Sequence, residues 1–404
     1  MTRGEREKAM MNIAMIGVGA ISGIYLENIS KTFREIRLVG ICDKIPERAE
    51  EGLRKLRKMI DAGVPVALPK NYRDMYEAFA DPEVDIVLNL TRPYEHYEVT
   101  RAALLAGKHV YSEKPLAVDM DEATELIRIA EEKGLRLGGA PDTFLGAGIQ
   151  TCRKLIDDGA IGKVVGGNLS MICHGHETWH PDPEFYYKRG GGPMLDMGPY
   201  YVTALVQLLG EAEGVSALTK KSFPERIITS APHCGEKITV DVDTHLAGNI
   251  LFKNGAIVSL FTTFDVYYTN QARFEIYGTE GTLIVPDPNT FGGPILLYRP
   301  EDAAPAPAVD PGLRKIVIDP YPGYRELPLM FDYRENSRAL GLADMAKAIE
   351  TGRPHRADYH QQAHVLDILT AFEKSSKERA FHPLSTTYER TPAMKHNPMH
   401  GVLD

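Results

Sequence analysis

The chain reads as an α/β protein in two parts. Residues 1–145 form a doubly wound parallel sheet, and residues 146–404 form an α+β domain on a large, mostly antiparallel open sheet. Three observations predict this. Strand and helix patterns alternate with short joins through the first third, the grammar of a parallel sheet covered on both faces. From about residue 150 the pattern becomes apolar–polar alternation broken by hairpin turns. A length of 404 residues also exceeds what one hydrophobic core usually supports.

The first strand, Asn12–Ile16, runs straight into Gly17-Val-Gly-Ala-Ile-Ser-Gly23, and a second strand, Ile36–Cys42, is closed by Asp43. Gly17 permits the tight turn and Gly19 lets backbone approach a pyrophosphate. The following helix aims its free N–H groups and positive dipole end at the phosphates. Strand, loop, helix, strand and acid in this order point to a dinucleotide, where an isolated glycine turn would not. The pattern continues with a helix over Ile45–Ala62, a short helix over Asn71–Phe79 and a buried strand at Val84–Asn89. A helix at Tyr94–Ala106, a strand at Lys108–Ser112, a helix at Met120–Lys133 and a strand at Arg136–Gly139 complete it. In the second part, Leu246–Phe252, Ala256–Phe264, Ala272–Tyr277 and Thr282–Val285 alternate as half-buried strands. Lys253-Asn-Gly255 and Gly278-Thr-Glu-Gly281 join them as hairpin turns. Pro300–Pro311 is a surface loop. Glu335–Thr351, capped by Asn336 or Ser337, and His360–Lys377 are amphipathic helices expected to pack back toward the first domain.

Composition excludes several classes. A formal charge of −9 without a dense Lys/Arg cluster argues against nucleic acid. No apolar run approaches the ~20 residues of a membrane span, and Met1–Met10 is charged. Cys42, Cys152, Cys173 and Cys234 lack C-x-x-C spacing, which gives neither a disulfide framework nor a zinc site and suits the cytoplasm.

With Asn89-Leu-Thr and His96, Ala106-Gly-Lys-His-Val, Glu113-Lys-Pro115, Gly190-Gly-Gly-Pro-Met-Leu-Asp196-Met-Gly198 and Ile276-Tyr-Gly-Thr-Glu-Gly281 added to the glycine loop, the chain resembles the glucose-fructose oxidoreductase / inositol dehydrogenase family of NAD(P)-dependent sugar dehydrogenases. The resemblance implies a Rossmann domain followed by an open sheet whose exposed face packs against a partner subunit, giving a homodimer or homotetramer. It implies cofactor contacts from Gly17, Gly19, Ala20, Ile21, Ser22, Asp43, Arg48, Asn89, Leu90, Thr91, His96, Glu113, Lys114 and Asp142. It implies catalytic roles for Lys114 and Asp196. Two departures stand out. Ser22 replaces the third small residue of the loop, and its hydroxyl can still face the phosphates. Tyr200 stands where the family has a histidine often assigned as acid/base.

Oxidation of a secondary alcohol needs a group that takes the hydroxyl proton. Lys114, at the carboxyl edge of a parallel strand and partly desolvated, is expected to have its pKa lowered toward neutrality; the competing role is a surface pair with Glu113. Pro115 is expected to follow a cis peptide. Asp196 is read as bonding a substrate hydroxyl or orienting the proton donor, against a plain role as a helix-terminal acid. Tyr200 beside Lys114 is expected to ionise more readily, so that a Tyr/Lys pair replaces the histidine; the alternative is a pocket-lining role. The run Cys173-His-Gly-His-Glu-Thr-Trp-His180, with Phe185-Tyr-Tyr-Lys-Arg189, holds the only tryptophan and reads as a sugar-recognition loop. Its candidate substrate contacts are His176, Trp179, His180, Tyr187 and Arg189, together with Asp196 and Tyr200. One of the histidines is a candidate to take over the missing acid/base role. Metal binding by His174, His176 and His180 is the weaker alternative, since no spaced second carboxylate pattern accompanies them.

Asp43 should accept hydrogen bonds from the adenosine ribose and favour NAD. A phosphate at about 4 Å would meet it at a cost of roughly 4 kcal/mol per charge pair at an effective dielectric near 20. Lys44 and Arg48 blunt that cost, so NADP remains an alternative. Three activities fit: an NAD-dependent dehydrogenase acting on a sugar, glycoside or cyclitol, a glycosidase working by transient oxidation, elimination and re-reduction, and a non-catalytic NAD-binding sugar sensor.

Overall fold

The computed structural model describes residues 10–302, 323–396 and 400–404. Its N-terminal sheet consists of β1 (Met11–Ile16), β2 (Ile36–Cys42), β3 (Lys70–Asn71), β4 (Ile86–Asn89), β5 (His109–Ser112) and β6 (Leu137–Gly139), in the order β3-β2-β1-β4-β5-β6. Every neighbouring pair is parallel. The chain connects them through α1 (Ser22–Lys31), α2 (Pro46–Asp61), α3 (Met75–Ala80), α4 (His96–Leu105) and α5 (Met120–Lys133). Strand order reverses between β1 and β4, opening a crevice at their carboxyl ends where such a sheet takes its ligand. Because β1 and β4 are covered on both faces, Ile13, Ala14, Met15, Ile86, Val87 and Leu88 are all fully buried and the sequence there runs apolar without alternation. The helix expected at residues 71–79 begins only at Met75. Asp74 sets that start, its carboxylate accepting the Glu77 N–H at 2.9 Å, and Lys70–Asn71 instead adds an edge strand.

The second part opens with α6 (Ala147–Asp157) and builds a nine-stranded sheet. Its strands are β7 (Val164–Ile172), β8 (Ala212–Lys220), β11 (His245–Phe252), β12 (Ile257–Thr263), β13 (Phe274–Gly278), β14 (Thr282–Ile284), β15 (Ile295–Tyr298), β16 (Arg325–Leu327) and β17 (His382–Pro383), while β9 (Glu225–Ile227) and β10 (Lys237–Thr239) pair as a separate hairpin. The order is β16-β15-β14-β13-β7-β12-β11-β8-β17, antiparallel except where β12 lies beside β7. One face of β12, with Val258, Leu260 and Thr262, is buried, and Ile257 on the other face is 57% exposed. Between β7 and β8 run the short α7 (Gly192–Asp196) and α8 (Gly198–Leu209), and α8 is buried at every residue. Asp196 therefore closes α7 rather than opening α8.

The C-terminal helices α9 (Leu340–Thr351) and α10 (Tyr359–Glu378) return to the first sheet. Gly341 N–H donates to Asp142 at 3.0 Å, and Gln362 Nε2 donates to the Ala140 carbonyl at 3.1 Å. Neither Asn336 nor Ser337 caps α9. Ser337 gives its hydroxyl to the Glu335 carbonyl, and Ala339 enters the helix with φ +81°. Most of the loop read at Pro300–Pro311 lies outside the described residues, which there include one 3-10 turn at Pro300–Asp302.

Candidate active site

The dinucleotide side of the crevice is built chiefly from backbone. Gly17 has φ +93°, and a Cβ there would lie 2.7 Å from the Leu90 carbonyl oxygen. Only glycine satisfies both conditions. Around Gly19 nothing lies within 4 Å of where a side chain would begin, so the loop leaves room above the N-terminus of α1. That open cradle fits a pyrophosphate. Ser22 is buried and gives its hydroxyl to the Gly19 carbonyl at 2.7 Å, closing the loop instead of facing a phosphate. Ala20 is exposed and Ile21 half-buried at the rim.

Asp43 accepts the Val18 N–H at 2.6 Å and the Ile45 N–H at 2.8 Å, which fixes its carboxylate at the end of β2 beside the loop. Lys44 is drawn away to Glu95 at 2.6 Å, leaving exposed Arg48 as the nearby cation. Asn89 is fully buried and brackets the turn after β4: its amide donates to the His96 carbonyl and Thr100, and its oxygen accepts the Thr91 N–H and hydroxyl. The buried His96 ring lies between the Pro115 and Thr91 carbonyl oxygens at 2.7 and 3.1 Å, and burial lowers its pKa. These side chains thus hold backbone in place around the crevice.

Lys114 lies at the end of β5, before a cis peptide to Pro115, and reaches across to α7. Its Nζ donates to the Asp196 carbonyl at 2.5 Å and to Asp196 Oδ1 at 2.8 Å. Glu113 turns the other way, accepting the Tyr25 hydroxyl at 2.8 Å and the Lys114 backbone N–H at 3.1 Å. The expectation of a lowered Lys114 pKa is not met. Burial pulls it down, but Asp196 first, then Tyr200 and Glu113, outweigh burial and hold it well above the usual lysine range. Asp196 shows the converse: burial would raise it, and Lys114 with His176 keeps it well below the usual carboxylate range.

Tyr200 also departs from expectation. Lys114 Nζ lies 5.1 Å from the centroid of its ring, and the Arg338 guanidinium lies 6.0 Å from the same centroid. Burial raises the Tyr200 pKa despite both cations, so it does not ionise more readily. Arg338 was not legible as a site residue. It arrives from the segment before α9, fixed by the side-chain oxygens of Asn336 at 2.8 Å and Asn289 at 2.7 Å.

In the loop after β7, Gly175 has φ +90°, and a side chain there would collide with Tyr187 and Glu177. The two flanking histidines part at this turn: His174 stacks on Tyr267, with ring centroids 3.5 Å apart, while His176 Nε2 lies 3.1 Å from Asp196 Oδ2. Trp179 Nε1 donates to His176 Nδ1 at 3.1 Å. Both ring nitrogens of His176 are therefore engaged. His180 is held apart, its Nδ1 accepting the Asp182 N–H at 3.0 Å, and burial lowers its pKa. Two expected substrate contacts are not brought to Asp196. Tyr187 is fully buried with its hydroxyl on Glu177, and Arg189 pairs on the surface with Asp119 at 2.6 Å and Glu122 at 3.1 Å. Tyr186 takes the place beside the site, its ring centroid 4.3 Å from that of His176. Asp142 accepts Gly341 N–H, and burial pushes its carboxyl up to about 6. Among the described residues no group of three or more His, Cys, Asp or Glu side chains is placed to hold a metal ion, and no helix is long and apolar enough to cross a membrane.

Residues 11–139 match the model of the oxidoreductase family with an NAD-binding Rossmann fold, and residues 149–284 match the GFO/IDH/MocA C-terminal domain. Levoglucosan dehydrogenase of Pseudarthrobacter phenanthrenivorans is 25% identical over 366 residues, covering 84% of this chain and 87% of that protein. The inositol 2-dehydrogenase/D-chiro-inositol 3-dehydrogenase of Lactiplantibacillus plantarum is 30% identical over 159 residues, 39% of this chain and 43% of the relative. In fold, a levoglucosan dehydrogenase complex with NADH and L-sorbose superposes with a TM-score of 0.74 at 21% identity, covering 93% of this chain and 99% of the other. With the nucleotide cradle, the lysine–aspartate pair and the open sheet all in place, the chain belongs to the GFO/IDH/MocA family and is an NAD-binding oxidoreductase.

Proposed function

We propose that this protein is an NAD-dependent dehydrogenase acting on a secondary alcohol of a sugar, glycoside or cyclitol. The observation that carries the reading is the meeting of Lys114 and Asp196, one from each domain, at the end of β5 beside the nucleotide crevice. The relatives named levoglucosan and inositol dehydrogenases support the substrate class. Bound nicotinamide would supply the hydride donor or acceptor.

This chain's residues supply position and the proton. Two of the Lys114 N–H groups are held by Asp196, leaving the third to meet a substrate oxygen. As an ammonium ion, Lys114 is set to give a proton to a carbonyl oxygen in reduction. In oxidation the step runs in reverse from the neutral amine, which takes the hydroxyl proton and becomes the ammonium that Asp196 favours. Asp196, kept ionised, fixes the ammonium and offers a lone pair to a neighbouring hydroxyl. Tyr200 covers the lysine with its ring. His176, donating to Asp196, has no nitrogen left for the substrate in this arrangement, so the proton is assigned to Lys114 rather than to the histidine loop.

The reading extends to self-association. Leu218, 71% exposed, and Ile257, 57% exposed, lie on the open sheet face with Phe261, and a second copy of the chain would cover them. A monomeric mass in dilute solution would count against that part. The function itself is tested by screening sugars, glycosides and cyclitols for both reduced nicotinamide and released aglycone. Stoichiometric reduced cofactor supports the dehydrogenase, and aglycone release without net reduction would assign the glycosidase route instead.

A further inference from the structure

We infer that Trp179 is a positioning residue whose indole N–H, with the Asp196 carboxylate at the other ring nitrogen, locks His176 in the one tautomer and orientation that keep Asp196 aimed at Lys114. The inference rests on the reading of Lys114 and Asp196 as the reaction centre. Trp179 is 60% exposed, as a sugar-stacking residue would be, yet its Nε1 is not left to water: it lies 3.1 Å from His176 Nδ1, with the rings edge to face at 78°. An indole nitrogen only donates, so Nδ1 must present its lone pair. A neutral imidazole then carries its proton on Nε2, which lies 3.1 Å from Asp196 Oδ2 and donates to it. The opposite tautomer would set two N–H groups against each other at one end and two lone pairs at the other.

The imidazole cannot escape this choice by turning. Tyr186 and Phe264 flank it at centroid distances of 4.3 and 4.6 Å. The loop beneath is tied down by buried Glu177, which accepts from Arg226 at 3.1 Å, and Arg226 in turn donates to Asp265 at 2.6 Å. Asp196, which only accepts, and Trp179, which only donates, impose the same tautomer from the two ends of the ring, and Trp179 is the one of the two that does not touch Lys114. The donor sequence therefore runs Trp179 to His176 to Asp196, with Lys114 donating to the same carboxylate from the other side. Orientation of a reacting group by a hydrogen-bonded histidine follows the logic by which outer partners tune the residues that do chemistry.

Because this is the only tryptophan of the chain, the lock has a direct readout. In 15N-labelled protein there is one indole N–H resonance. We expect it protected from rapid exchange with water and displaced in His176→Gln, and we expect the His176 nitrogens to report one Nε2–H tautomer whose Nδ1 resonance is displaced in Trp179→Phe. Phenylalanine keeps an aromatic face for a sugar but has no N–H. On a carbohydrate substrate, Trp179→Phe should lower kcat about tenfold with KM little changed, where loss of stacking alone would raise KM. A freely exchanging indole unmoved by His176→Gln, a His176 Nδ1 resonance unmoved in Trp179→Phe, or parent-like kinetics for that variant would each overturn the inference. If no carbohydrate is oxidised by the parent, the dehydrogenase reading fails, and the resonances still decide the lock.

Discussion

The two walls of the crevice are made of different material. On the nucleotide wall the working surface is backbone, and the polar side chains face inward: Ser22 to the Gly19 carbonyl, Asn89 to the turn after β4, His96 between two carbonyl oxygens, Asp43 to Val18 and Ile45. On the opposite wall the working surface is side chain, a connected set of Trp179, His176, Asp196 and Lys114 drawn from distant segments. A backbone wall is sensitive to the conformation its glycines permit and tolerant of changes in the side chains behind it. A side-chain wall is sensitive to single atoms. The contrast implies that cofactor binding and turnover should separate cleanly under substitution.

The largest effect expected on the nucleotide wall is that of Gly17→Ala. The substitution sets a Cβ 2.7 Å from the Leu90 carbonyl in a backbone with φ +93°, so it should abolish measurable NAD binding and lower stability by about 1–3 kcal/mol. Cofactor titration and thermal melting check both, and a variant that still binds NAD like the parent would break the contrast.

Asp142 sharpens the contrast through pH. Its carboxyl is raised to about 6 by burial, so between roughly pH 4 and 6 the folded chain holds a proton that the unfolded chain releases. Stability from this group is present at low pH and is lost as pH rises through 6. Asp142→Asn keeps an acceptor for Gly341 and removes that loss. It should therefore be more stable than the parent at pH 7, by roughly 3 kcal/mol at most, and match it near pH 4. Paired melting curves at the two pH values read this directly, with NAD binding expected to be retained.

The smallest effect belongs to Tyr200. Since its ring lies over Lys114 and burial keeps its hydroxyl protonated, Tyr200→Phe should change kcat by less than about tenfold, below the 10²–10⁴ of a group that moves the proton. A larger loss in steady-state kinetics would return the proton to the tyrosine.

Legibility from the sequence follows the same division. The nucleotide wall was readable because it depends on glycines at fixed offsets from a strand, a local pattern. Lys114 and Asp196 were readable only through linked family motifs, since nothing local says that residues 82 apart meet. The pairing of His176 with Asp196 depends on the turn at Gly175, and the sequence run there left open which of its aromatic and charged side chains point inward. Hence Tyr187 and Arg189 were expected at the substrate, although one is sealed against Glu177 and the other is paired at the surface, while Tyr186 stands beside His176. Arg338 carried no motif, and its neighbourhood with Tyr200 arises from a return of the chain after the second sheet. The pKa expectations for Lys114 and Tyr200 failed for one reason. Their signs depend on how burial balances against particular neighbouring charges, and that balance is a tertiary fact.

The most direct test of the account is single-turnover formation of reduced nicotinamide by the parent and by Lys114→Met, each loaded with NAD and given the best carbohydrate from the screen. One equivalent per site is expected from the parent, and a rate about 10²–10⁴-fold lower from the variant with NAD saturating for both. Equal rates from the two proteins would contradict it.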